Sequence, residues 1–70
     1  MSEADKMFEE LGYIKYESKY NIYYTAQFGT EIAFNKKDKD VTKYWGMENQ
    51  YIDMQELKAI NKKCEELGWI

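Results

Sequence analysis

The sequence predicts an α+β domain: a four-stranded antiparallel β-meander with an N-terminal and a C-terminal helix packed on one face. Three observations carry that expectation. Apolar residues recur at three- and four-residue intervals near both ends of the chain, they alternate with polar residues between about 13 and 45, and polar or glycine-containing turns punctuate the alternating part. No proline, low-complexity run or linker divides the 70 residues, so they read as a single domain, 1–70.

The C-terminal stretch is the best specified. Met54, Leu57, Ile60, Cys64 and Leu67 share one side of a helix, and Asp53 is its expected N-cap. Glu56 occupies the capping-box position, while Ile52 is placed to staple onto Leu57. Gly68 supplies the left-handed stop, and Trp69 beyond it can fold back on Cys64. At the other end, residues 2 to 11 form a shorter helix. Ser2 is its cap, Asp5 lies three residues on, and Ala4, Met7, Phe8 and Leu11 share a side before Gly12 ends it. The hexapeptides 9–14 and 65–70 are nearly the same. Since the regions between them do not match, they are better explained as two uses of one helix-stop recipe than as an internal repeat.

Four strands are expected in between. Tyr13 to Glu17 places Ile14 and Tyr16 on the core side, and Ile22 to Phe28 alternates Ile22, Tyr24, Ala26 and Phe28 against Tyr23, Thr25 and Gln27. Residues 18–21 make a polar turn. Gly29-Thr30 fits a two-residue type II′ hairpin leading into Glu31 to Asn35, with Ile32 and Phe34 facing the core. After the charged turn 35–40, Val41 to Trp45 forms a fourth strand whose inward Lys43 suits an edge. Gly46 to Tyr51 then crosses to the last helix. The expected core is Met7, Phe8, Leu11, Ile14, Tyr16, Ile22, Tyr24, Ala26, Phe28, Ile32, Phe34, Val41, Met54, Leu57, Ile60, Cys64 and Leu67.

Composition narrows the chemistry. The net charge is −3, histidine is absent, and all ten basic residues are lysines, a balance that disfavours nucleic acid as a partner. No C-x-x-C, phosphate-binding glycine loop or G-x-S-x-G is present, so the expectation is a protein that is not an enzyme and takes no cofactor or metal. Cys64, alone and at helical core spacing, reads as an inert thiol. Asp38 and Asp40 lack the other ligands of a calcium loop. The start of the chain does not have the pattern of a secretion signal, and no apolar run approaches the roughly 20 residues that span a bilayer, which points to a cytoplasmic protein with no membrane partner.

Residues 5–13, 32–39 and above all 54–69 resemble a group of small, uncharacterised proteins encoded by Firmicutes phages and prophages. That resemblance implies action in the cytoplasm of a bacterial host. It assigns no activity and no site residue.

Two surface features are candidates for function. Tyr13, Tyr23 and Tyr44, with Lys15, Thr25, Gln27 and Thr42, are expected on the sheet face opposite the helices. Tyrosine suits a water-facing strand, and it also suits an interface, because it joins a large apolar body to a hydrogen-bonding tip. The second feature is an acidic patch formed by Glu9, Glu10, Glu65 and Glu66 if the two helix ends lie together, although such charge is also ordinary on a solvated helix. The functional expectation is a phage accessory protein that binds a host or phage protein, for example as an inhibitor of a defence or nucleic-acid-handling protein. It would be a homodimer if the tyrosine face pairs with itself. The alternative is nucleic-acid or nucleotide binding through Tyr13, Tyr23 and Tyr44 with Lys15, Lys36, Lys37 and Lys39.

Overall fold

A computed structural model describes residues 2–44 and 51–70, except for the side chain of Phe28. The expected Trp45 end of the fourth strand, most of the connection to the last helix and the core role of Phe28 lie outside the described residues. Two helices, four strands and one 3-10 turn follow in the order α1 (Glu3–Glu10), β1 (Ile14–Glu17), β2 (Asn21–Thr25), the turn Gln27–Gly29, β3 (Glu31–Asn35), β4 (Asp40–Tyr44) and α2 (Met54–Glu66). The strands pair antiparallel in sequence order, as the meander requires. Ile22 and Tyr24 of β2 and Ile32 and Phe34 of β3 are buried together with Phe8 of α1 and Ala59 and Ile60 of α2, so both helices cover the same face.

Both helices begin and end as their sequences specify. The Ser2 hydroxyl accepts from the Asp5 N–H, and Asp53 and Glu56 form a complete capping box. At the C-termini the two near-identical hexapeptides make the same motif. Tyr13 N–H donates to the Phe8 carbonyl and Gly12 N–H to that of Glu9, just as Trp69 N–H donates to Cys64 and Gly68 N–H to Glu65. In each case the aromatic after the glycine turns into the core. Tyr13 meets Phe8 edge-on at 5.7 Å, and Trp69 lies 6.2 Å from Phe34. Phe8 and Tyr24 stack at 3.9 Å between ring centres, which ties α1 to the middle of the sheet.

Strand β1 departs from expectation by one residue of phase. Ile14 and Tyr16, expected in the core, face away from the helices at 73% and 52% exposure. Tyr13 and Lys15, expected outside, are on the helix side, with Lys15 opposite Tyr24 in the register. The cause is the helix stop. By entering the core at the end of α1, Tyr13 fixes the phase of everything that follows it, and a period of two then sends Ile14 and Tyr16 outward.

Other differences are local. The β2–β3 connection is a three-residue loop with positive φ at Gly29, and the Ala26 N–H donates to the Thr30 carbonyl, in place of a two-residue type II′ turn. Gln27 therefore leaves the sheet. In α2 the buried residues are Ala59, Ile60 and Lys63, while Met54 and Leu57 are exposed and Cys64 and Leu67 only partly buried. The helix is rotated toward Lys63 because that side chain has a buried carboxylate to meet. Leu11 is likewise at the surface, next to the helix stop.

Gly12 and Gly68 have φ of +94° and +78°, and a Cβ at either would meet nothing within 4 Å. Gly12→Ala and Gly68→Ala should therefore each cost about 1 kcal/mol from backbone strain alone, without repacking. Urea denaturation of the two variants checks this, with matching midpoint losses and unchanged slopes expected.

Candidate interaction surface

The two carboxylates three residues after the helix caps organise the polar interior. Asp5 of α1 accepts from the Tyr24 hydroxyl at 2.6 Å, from the Lys15 ammonium at 3.0 Å and from the Lys63 ammonium at 3.3 Å. One group thus joins α1 to β2, β1 and α2. Glu56 of α2 has the corresponding role. It accepts from the Tyr13 hydroxyl and, at 2.9 Å, from Lys43 of β4, whose ammonium also donates to the Tyr51 carbonyl. Each edge strand therefore sends one lysine inward to a carboxylate near the start of a helix.

The effect of these bonds is seen at Asp5 and at the two phenols. Burial works against ionised Asp5, but the Tyr24 hydroxyl, Lys15 and Lys63 outweigh it and keep the carboxyl far below the usual range. Burial, then the bond to Asp5, pushes the Tyr24 phenol well up; burial and Glu56 do the same for Tyr13. Burial also raises Cys64, opposite to the shift that activates a thiol. A groove of about 300 Å³ lies between α1 and β1, lined by Asp5, Glu9, Tyr13, Ile14, Lys15 and Tyr24. The Asp5, Lys15, Tyr13 and Tyr24 side chains in it are all engaged with protein partners. It offers a ligand few polar groups free to orient it.

The residues expected at function sort differently in space. Of the proposed interface, Tyr23, Thr25 and Tyr44 are on the open sheet face, Tyr13 is buried at 6% exposure, Lys15 is tied to Asp5, and Gln27 is in the hairpin loop. The acidic four do not form one patch, because the helices run antiparallel. Glu66 at the end of α2 accepts from the Ala4 N–H at the start of α1, and Lys62 of α2 reaches Glu3. Glu9 and Glu10 are at the other end of α1, roughly 12 Å along a helix of that length. Backbone and Ser2 bonds and Lys63 hold Glu66 below its usual value despite burial, so it acts as a cap. The lysines of the nucleic-acid alternative are also dispersed: Lys15 pairs with Asp5 and Lys36 with Glu17, leaving Lys37 and Lys39 in the β3–β4 turn.

What the structure does assemble is an open face that sequence reasoning filled only in part. Ile14 and Tyr16 of β1, Tyr23 and Thr25 of β2, Glu31 and Ala33 of β3, and Thr42 and Tyr44 of β4 form two cross-strand rows, Ile14–Thr25–Glu31–Tyr44 and Tyr16–Tyr23–Ala33–Thr42. Tyr16 and Tyr23 stack at 4.6 Å, and the Asn21 amide donates to the Tyr23 hydroxyl. The signal that could have found Ile14 and Tyr16 was the aromatic after Gly12: once Tyr13 is assigned to the helix stop, the strand phase follows.

No family model, curated protein or solved structure matches the chain. Among the described residues no group of three or more acidic or cysteine side chains is placed to hold a metal, and no helix is long and apolar enough to cross a membrane.

Asp5→Asn should cost about 2–3 kcal/mol at neutral pH, since it leaves Lys63 buried without its main counter-charge. Asp5 titrates below its unfolded value, so its contribution is complete above the ordinary carboxylate pKa of about 4 and declines as pH falls through the folded value. Urea titrations at neutral and strongly acidic pH check the sign: the wild-type margin over Asp5→Asn should shrink in acid.

Proposed function

We propose that this chain is a non-enzymatic binding module that docks another protein on the open face of its sheet. The carrying observation is the exposure of Ile14 and Tyr16 beside Tyr23, with exposed Tyr44 on the other edge of the same face, which no described helix covers. Tyrosine and isoleucine grouped in this way suit the buried centre of an interface. The polar interior gives the complementary support. Its carboxylates, phenols and lysines are bound to one another, and Cys64 is shifted away from reactivity.

The resemblance to small phage and prophage proteins suggests the setting, a bacterial cytoplasm in which such a module binds, and in binding inhibits, a host protein of defence or nucleic-acid handling. A second copy suits this face less well. The face carries Glu31 and Asp40 and has no strand lysine with which a second copy could pair them.

A photo-reactive phenylalanine analogue at Tyr16 tests the reading, with the same group at exposed Lys58 on α2 as the control. Irradiation in host lysate should give a discrete cross-linked product from position 16 and not from position 58. Equal labelling from both positions would remove the support for this face.

A further inference from the structure

The open face has a one-sided charge pattern. None of its strand positions is a lysine. Lys15 and Lys43, the two strand lysines, both point to the helix side, and Lys36 just beyond β3 is drawn to Glu17. Glu31 and Asp40 are on the open side, and neither has a salt-bridge partner among the described residues. Glu31 is the better placed of the two. It lies directly across from Tyr44, diagonal to Tyr23, and one row from the Tyr16–Tyr23 stack. Its neighbour on the same strand and face is Ala33, the smallest side chain in either row, whose 8% exposure shows that taller side chains surround it. Burial, and then the Glu31 carboxylate, hold the Tyr16 phenol above its usual range.

We propose that this face takes an arginine-bearing segment of another protein, with the guanidinium against the Tyr16–Tyr23 rings and paired to Glu31, and with apolar neighbours on Ile14 and Tyr44. The assignment rests on the docking reading above and adds the chemistry of the partner. A guanidinium is planar, so it can lie on an aromatic face while its N–H fork binds a carboxylate; an ammonium does one of these at a time. Arginine and tyrosine are also the residues that most often dominate binding energy at protein interfaces. An acidic partner or a phosphate backbone would meet two carboxylates and no strand lysine.

The test uses the full chain labelled with 15N and four defined probes: a nonapeptide alternating arginine and valine, the same peptide with lysine or with glutamate for arginine, and a short single-stranded oligonucleotide. The arginine peptide should shift the amides of Tyr16, Tyr23, Glu31, Ala33 and Tyr44. The lysine version should bind about threefold more weakly, and Glu31→Gln should weaken the arginine peptide by about threefold or more. Glu31→Gln replaces a surface group, and an otherwise unchanged amide spectrum verifies its fold.

The proposal is overturned if the arginine peptide leaves those amides unmoved, if the glutamate peptide or the oligonucleotide binds there as well or better, or if Glu31→Gln binds like wild type. Should the arginine peptide fail while the cross-link from position 16 persists, the partner chemistry falls and the docking face stands. Loss of both removes both.

Discussion

The arrangement depends on two carboxylates, each three residues after a helix cap and each receiving a phenol and an inward lysine from an edge strand. Asp5 takes Tyr24 and Lys15, and Glu56 takes Tyr13 and Lys43. Lys63 closes the set by joining α2 to the carboxylate of α1. A buried ion pair gains little net energy over a well-packed apolar replacement, because desolvation offsets attraction. Its leverage comes from the cost of a mismatch. Rotating α2 would part buried Lys63 from Asp5 and leave a charge in the interior without its partner, and that penalty selects one arrangement of the helices among many that bury similar apolar area.

The same constraint accounts for the open face. Edge strands are exposed to pairing with other molecules, and inward charges are one way of blunting them. Here β1 and β4 both carry an inward lysine, and both lysines are neutralised by a helix. With Lys15 committed inward, the alternation of β1 leaves Ile14 and Tyr16 nowhere to go but out. The exposed apolar surface and the satisfied polar interior are therefore two consequences of a single strand phase.

Much of the architecture was legible because local signals and periodicity agreed. Ser2, Asp53, Gly12 and Gly68 set the helix bounds, and the alternation Ile22-Tyr23-Tyr24-Thr25 set the central strand. Asp5 and Glu56 were visible as cap-position residues, but capping is a local property and the lysines and phenols they bind are distant in sequence. Strand β1 differs from the expectation for a related reason. Ile14 and Tyr16 are more apolar than Lys15 and Glu17, and composition alone cannot reveal that Asp5 and Lys36 wait for those two charges on the helix side. Leu57 and Met54 are exposed for a similar reason, since the buried stripe of the helix is centred on Ala59, Ile60 and charged Lys63, and no apolar count includes a lysine.

Pairing also shapes the electrostatics that a partner would meet. Lys15, Lys36, Lys43 and Lys63 are held by Asp5, Glu17 and Glu56, which removes four positive charges from free display. On a chain of net charge −3, the carboxylates left over then determine the sign of whichever surface they occupy, and Glu31 and Asp40 occupy the open face. Water competes poorly for a guanidinium that already lies on stacked rings, so a carboxylate bordering such rings acts more strongly than one on a bare helix. Glu31 has that setting, whereas Glu9 and Glu10, exposed on a helix, do not. The fold therefore separates its acidic residues by use: Asp5, Glu56 and Glu66 hold the helices in place, and Glu31 faces outward where aromatic surface has been left uncovered.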